Sequence, residues 1–245
     1  MKLTIDIGNT RKKWALFEGD VLVTCGYWDT AQELPWKDLE IDDAIGCCVG
    51  DQTQVKEVLN GSKIVWLSEA ALDALPIKIA YKTRNTLGMD RVAAACGAWK
   101  YSQGKGCVIV DAGTCITIDY VDANGVFQGG AIMPGISMQL RALHRETAKL
   151  PEITKTENEE LETCGKNTQE SILAGTQIAT IYAIEGFIKY YMSKCPLLEV
   201  VISGGDARWI SKKLKTKAIM HVDPNLVMKG MNDIMLNKVK REEEE

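Results

Sequence analysis

The chain has 245 residues, a formal charge of −4 and 46% hydrophobic side chains. That is enough apolar material for one large α/β domain or two small lobes, and the mild acidity argues against a nucleic-acid binder, which carries a basic face. The eight cysteines form no C-x-x-C pair and read as reduced thiols of a cytosolic protein, not zinc ligands or disulfides, and the two histidines, His144 and His221, leave little for a metal cluster or a Ser/His triad.

Lys2 runs straight into an apolar strand, so no cleavable leader is expected. The strand covers residues 3–7 and carries Asp6 near its end. Gly8, Asn9 and Thr10 make a turn, and residues 14–17 resume an extended run before a Glu18-Gly19-Asp20 turn. Residues 21–28 read as a third strand, 29–39 as a short helix or loop, and 43–49 as a buried strand. A helix is expected over 52–59, a strand over 63–67, a short helix from Ser68 to Leu75, and an extended piece at 77–81. The order βββαβα is that of a ribonuclease-H-like lobe. Residues 84–88 read as a loop. Met89 or Asp90 then starts a helix with Val92, Cys96 and Trp99 on its apolar face, and the Gly-rich break at 103–106 marks the lobe boundary.

A second hairpin follows. Val108, Ile109 and Val110 lead to Asp111, then Ala112, Gly113 and Thr114, with Ile116, Ile118 and Tyr120 alternating into the return strand and Asn124-Gly125 as a turn signal. Beyond it the expectations are a glycine-bounded loop at 129–135, a helix over 137–149 and a mobile polar loop over 151–162. A long helix is expected from an N-cap at Asn167 or Thr168 with Glu170, ending near Met192. Its 171–192 stretch holds Gln177, Glu185 and Lys189 and reads as too polar to span a membrane. Ile181, Ile184, Ile188 and Tyr191 form a stripe suited to a core or a dimer seam. A buried strand at 199–203 runs into Gly204-Gly205-Asp206. A helix at 209–214, a strand at 218–222, a helix at 225–238 and a solvated charged tail at 238–245 complete the chain.

No Walker or G-x-G-x-x-G sequence is present. The D-x-G-(N)-T hairpin instead occurs twice, which suggests a duplicated domain with a nucleotide between its halves. Three turns suit phosphate, namely Gly8-Asn9-Thr10, Gly113-Thr114 and Gly204-Gly205, because each follows an apolar strand and glycine lets backbone approach closely. Any one alone reads as an ordinary turn. Asp6 and Asp111 at equivalent places imply a cation, since two close carboxylates otherwise repel. Asp90 complements a helix dipole, the plain reading of an acid there, or serves as a general base that takes an alcohol proton late in phosphoryl transfer. Arg91 suits a substrate carboxylate or a surface ion pair.

Together these segments resemble the type III pantothenate kinases of the actin/sugar-kinase ATPase superfamily: DIGNT at 6–10, YxTxxTLGxDR at 81–91, DAGTxITIDxVxxxGxFxGGxIxPG at 111–135, Leu150-Pro151, NTxESIxxG at 167–175 and ISGGDA at 202–207. The resemblance implies an α/β fold of duplicated ribonuclease-H-like lobes, residues 1–104 and 105–245, with nucleotide in the cleft between them. It implies ATP-dependent phosphorylation of pantothenate to 4'-phosphopantothenate, the first step of coenzyme A biosynthesis. Asp90 is then the proton acceptor; Tyr81, Gly88, Met89, Asp90, Arg91 and Thr168 bind pantothenate; Asp6, Ile7, Gly8, Asn9, Thr10, Arg11, Lys12, Lys13 and Thr114 bind ATP; and Asp111 holds a monovalent cation, K⁺ or NH₄⁺, with Mg²⁺ accompanying ATP. A cytoplasmic homodimer is implied, with no nucleic-acid or membrane partner. Arg84 departs from the family's usual proline, which predicts a less rigid loop. The competing readings are a non-catalytic accessory or regulatory relative and a kinase or phosphatase of the same superfamily acting on a sugar, acetate or polyphosphate.

Overall fold

The computed structural model describes residues 1–28, 36, 38–48, 64–157 and 160–244. The expected helix at 52–59 and most of 29–39 lie outside them. The chain divides into two compact units, the first made of Met1–Gly104, Asn124–Gly129 and Asn225–Glu245, the second of Lys105–Ala123 and Gly130–Pro224. The last 21 residues thus belong with the first unit, not with the second lobe to which their place in the sequence had assigned them.

In the first unit, β1 (Lys2–Ile7), β2 (Lys12–Glu18), β3 (Val21–Trp28), β4 (Asp43–Cys48) and β5 (Ile64–Trp66) form a sheet in the order β3-β2-β1-β4-β5. β1 is antiparallel to β2 and parallel to β4. Strand alternation sorts β1 into two faces. Leu3, Ile5 and Ile7 join Trp14, Leu16, Trp28 and Trp36 in one cluster, where the Trp36 ring centroid lies 5.1 Å from Trp28 and 5.7 Å from Trp14. Thr4 and Asp6 take the other face, and the Thr4 hydroxyl donates to Met228 Sδ at 3.2 Å.

That face is covered by α1 (Met89–Ser102) and α5 (Leu226–Glu244), which pack on each other. α1 is buried nearly all round, from Val92 through Ala98, and not along a single stripe. The two helices meet at Gly97 and Gly230, where a Cβ on Gly230 would overlap the Ala93 carbonyl oxygen and one on Gly97 would lie 2.9 Å from the Leu226 carbonyl oxygen. The backbone of α5 stays helical through Glu244, across the stretch expected as a tail. The short helix expected after Ser68 is a 3₁₀ turn, Glu69–Ala74.

The second unit repeats the pattern. β7 (Cys107–Ala112), β8 (Cys115–Val121), β9 (Val126–Pro134), β10 (Glu199–Ser203) and β11 (Met220–Val222) run in the order β11-β10-β7-β8-β9, the same sequence of neighbours as in the first sheet read from its other edge. Asp6 and Asp111 each occupy the last position but one of the central strand. The opening residues of β9 belong to the first unit and pair with β6 (Lys78–Ile79) through Val126 and Phe127. The stretch 129–135, expected as a loop, is strand as far as Pro134. The glycines are needed for close approach: a Cβ on Gly130 would overlap the Ile118 carbonyl oxygen.

α2 (Ile136–Arg145) is four residues shorter at its C-terminal end than expected, and the His144 Nδ1 donates to the Leu150 carbonyl at 2.8 Å. α3 (Thr168–Lys194) contains a π-turn, Ala174–Ile178. Asn167 is its N-cap: the Asn167 side chain accepts from the Glu170 N–H at 2.9 Å, and Glu170 accepts in turn from the Lys166 N–H at 2.7 Å. By length and a mean hydropathy of 1.3 this helix could cross a membrane, contrary to the expectation that it is too polar. Its apolar face is already taken: Ile181, Ile184 and Ile188 lie in the core of their own unit with Val108, Val110, Ile116, Ile118 and Ile202, so the stripe is core and not a dimer seam. α4 (Ala207–Lys213) follows β10.

Candidate active site

In the first unit the hairpin turn is closed by the Gly8 N–H donating to the Arg11 carbonyl at 3.1 Å. Ile7 is buried, Asn9, Thr10 and Arg11 are exposed, and Lys12 and Lys13 open β2. The Arg11 guanidinium lies 5.3 Å from the centroid of the Tyr27 ring. Pairing sets Asp6 level with Lys13 on one side and Cys47 on the other. The Cys47 Sγ donates to Asp6 Oδ1 at 3.3 Å. Burial pushes the Asp6 carboxyl up; the Lys13 charge and the Cys47 hydrogen bond pull it back, and the Asp90 charge pushes it up again. Burial and the charges of Asp6 and Asp90 hold the Cys47 thiol well above its ordinary value, so it remains a donor.

The Asp90 charge is thus felt at both Asp6 and Cys47. Asp90 sits in the first turn of α1, where Gly88 is the N-cap. Its Oδ1 accepts from the Arg91 N–H at 2.9 Å. Gly88 makes room for this carboxylate, because a Cβ there would stand 2.5 Å from Oδ1. The obstacle is the end of a side chain, so Gly88→Ala is accommodated by turning the Asp90 carboxylate away. The expected outcome is a fall in kcat on the order of tenfold with an unchanged Tm, checked by steady-state kinetics alongside a thermal melt.

Arg91 is 7% exposed, which removes the surface ion-pair reading. Its guanidinium lies 5.7 Å from the Tyr81 ring centroid and 5.9 Å from that of Phe127. Tyr81 packs in turn over Gly129, where a φ of +86° and the 3.2 Å that a Cβ would have to the ring favour glycine. The loop between Tyr81 and α1 contains a 3₁₀ turn, Arg84–Thr86. Arg84 Nη2 donates to the Ile79 carbonyl at 3.3 Å, a tether proline could not make. Phe127, Gly129 and Cys47 are the residues the sequence reading missed here. The F-x-G-G pattern was visible but its partner Tyr81 was not, and Cys47 had no signal beyond an apolar strand.

In the second unit, Asp111 stands level with Thr117 on β8 and Ser203 on β10. The turn after β7 is fixed by the Gly113 N–H donating to the Cys115 carbonyl at 2.9 Å and the Gly135 N–H donating to the Thr114 carbonyl at 3.0 Å. Gly204, at φ +89°, packs against Ala112, and a Cβ there would be 2.6 Å from Asp111 Oδ1. Thr168 is exposed at the first position of α3, beside a hollow of about 590 Å³ lined by Leu143, Leu150, Asn167 and Ile172. Among the described residues no group of three or more His, Cys, Asp or Glu side chains could hold a metal ion.

Comparison with known proteins places this arrangement. A sequence profile of the type III pantothenate kinases matches residues 2–190. The chain is 37% identical over 243 residues to a type III pantothenate kinase of Bacteroides fragilis (strain YCH46), covering 96% of this chain and 97% of that one. Among solved structures it is similar to a Campylobacter jejuni protein named as a Baf family transcriptional activator, with a TM-score of 0.65 and 19% identity over 97% of this chain and 99% of that one. It is also similar to a ROK hexokinase of Thermus thermophilus, with a TM-score of 0.50 and 12% identity over 98% and 99%. At those identities the structures speak for the fold, that of the actin-like ATPases and sugar kinases, with two repeated α/β lobes. By profile and by near-full-length identity, the chain belongs to the type III pantothenate kinase family.

Proposed function

We propose that this chain phosphorylates the primary hydroxyl of pantothenate from ATP, giving 4'-phosphopantothenate. The observation that carries the reading is the Asp90 carboxylate, set in the first turn of α1, its charge felt by the buried Asp6, and next to a guanidinium that lies against two neighbouring rings. Oδ1 of Asp90 is fixed by a backbone N–H, leaving Oδ2 to orient the attacking hydroxyl and accept its proton. Phosphoryl transfer has a loose transition state, so the base orients first and takes the proton late. The Arg91 guanidinium offers the planar fork that recognises a carboxylate. Tyr81, Gly88, Met89 and Thr168 complete the pantothenate contacts in this reading.

ATP engages residues 6–13 and Thr114. A monovalent cation, K⁺ or NH₄⁺, sits at Asp111. The chemistry there fits a hard cation: a carboxylate at a strand end, with Gly204 keeping side-chain atoms away from Oδ1. When bound, that cation together with the Mg²⁺ that accompanies ATP offsets phosphate charge. The homodimer expected from the resemblance belongs to this reading as well, and the exposed rings of Tyr182 and Tyr190 on α3 are apolar surface available to it.

Coupled ADP release with Mg²⁺ and K⁺ tests the reading. Pantothenate-dependent release is expected, with none from sugars, acetate or small alcohols; release with a sugar but not with pantothenate would move the chain to another kinase class. Arg91→Lys keeps the charge but loses the fork and the stacking, and is expected to raise the KM for pantothenate about tenfold, read from substrate titrations at saturating ATP. The accessory-protein alternative is weakened by the retention of Asp6, Asp90, Arg91, Asp111 and Thr114.

A further inference from the structure

The segment after α2, expected to be mobile, is tied down at residues 155–156 by groups of its own unit. The Gln177 side chain, 1% exposed within the π-turn of α3, clamps Thr156 from both sides: Gln177 Oε1 accepts from the Thr156 N–H and Gln177 Nε2 donates to the Thr156 carbonyl, each at 2.9 Å. Thr176 completes the turn by donating to the Ile172 carbonyl at 2.8 Å. A π-turn is rare and often marks a functional position. Here it sinks an amide into the interior to hold one loop residue, and a buried amide is costly unless both of its ends are bonded.

What that clamp fixes is its neighbour. Lys155 forms an ion pair with Asp206, whose side chain is 10% exposed. Asp206 ends the Gly204-Gly205 turn, and its N–H donates to the Ala112 carbonyl at 3.1 Å, so the turn lies against the end of β7 that carries Asp111. No atom lies within 4 Å of where a Gly205 Cβ would be, so the turn is open on that side. An ammonium has three donors, and an ion pair with one carboxylate oxygen leaves others for further oxygens. An exposed lysine–carboxylate pair would by itself mean little. This lysine is held in register by a buried side chain whose amide bonds at both ends to the next residue, Thr156.

We propose that Lys155 is a nucleotide-contacting residue, its ammonium bridging Asp206 and a phosphate oxygen of ATP, and that Gln177 is a positioning residue acting through Thr156. The proposal rests on the kinase reading for the identity of the nucleotide. It adds a further positive charge to those of Arg11, Lys12 and Lys13 at the first hairpin.

The test is equilibrium binding of MgATP and of adenosine to the full chain by calorimetry, with kinetics in parallel. Lys155→Ala, and Lys155→Gln, which keeps part of the stem, are expected to weaken MgATP about tenfold, the scale of a charge-assisted hydrogen bond, and to leave adenosine within twofold. The kinetic effect should fall on the KM for ATP and not on that for pantothenate. Lys155→Arg should recover most of the loss, and Gln177→Ala should reproduce part of it. Unchanged MgATP affinity overturns the proposal. So does an equal loss for adenosine, or full recovery in Lys155→Ala/Asp206→Asn, since the lysine would then only balance Asp206. If the wild type binds MgATP with the predicted dependence on Lys155 yet never phosphorylates pantothenate, the substrate assignment fails and the nucleotide contact stands.

Discussion

Asp90→Asn is expected to lower kcat by at least about a hundredfold while MgATP still binds, the scale for loss of a general base. The amide keeps the size of the carboxylate and can still accept from the Arg91 N–H through its oxygen, so the start of α1 is preserved. It cannot take the proton of the attacking hydroxyl. Removing the Asp90 charge also relieves Asp6 of the nearby negative charge that raises its pKa. The variant is therefore expected to keep or slightly improve nucleotide binding as turnover collapses, a separation that a general loss of structure would not give. Rapid-quench turnover and calorimetric MgATP titration on one preparation check both halves; turnover within a few fold of the wild type would show that the base lies elsewhere.

Gly230→Ala should carry the largest cost to stability. The added methyl falls on the Ala93 carbonyl of α1, and that obstacle is backbone, which cannot swing aside as a side chain would. The helices must separate, with Gly97 giving the same tight contact from the opposite side. Overpacking of this kind costs about 3 kcal/mol, which for a chain of this length corresponds to a Tm lower by roughly 6–12 °C. Because Asp90 lies in the first turn of α1, the displacement reaches the site as well, and activity measured below the melt should fall with it. A melt matching the wild type would mean that the helix crossing is looser than the contact at Ala93 implies.

The hairpins were legible because everything that makes them is local: an apolar strand, an acid near its end, a glycine turn and a second alternating run. The start of α1 was legible for the same reason, since Gly88, Met89 and Asp90 sit side by side. What sequence could not supply was register between distant strands. Cys47 reads as one more buried thiol until β4 pairs in parallel with β1 and sets it level with Asp6. Arg91 reads equally as a carboxylate ligand or a surface ion pair until Phe127, on a strand that begins in one unit and ends in the other, comes beside it. Gly129 and Gly130 read as loop punctuation because glycine is ambiguous from sequence: it marks a turn or a place where two backbones nearly touch, and here the second is true of Gly130. The stripe on the long helix suited a core or a dimer seam, and only the sheet that it covers decides for the core.

The most direct measurement is phosphorus NMR of the product formed from ATP and pantothenate with Mg²⁺ and K⁺ present, using wild type and Asp90→Asn at equal concentration. The account predicts a phosphomonoester on the primary hydroxyl of pantothenate with the wild type and a signal lower by at least about two orders of magnitude with the variant. A wild-type reaction yielding only ADP and inorganic phosphate, or a product of equal amount from both proteins, would contradict it.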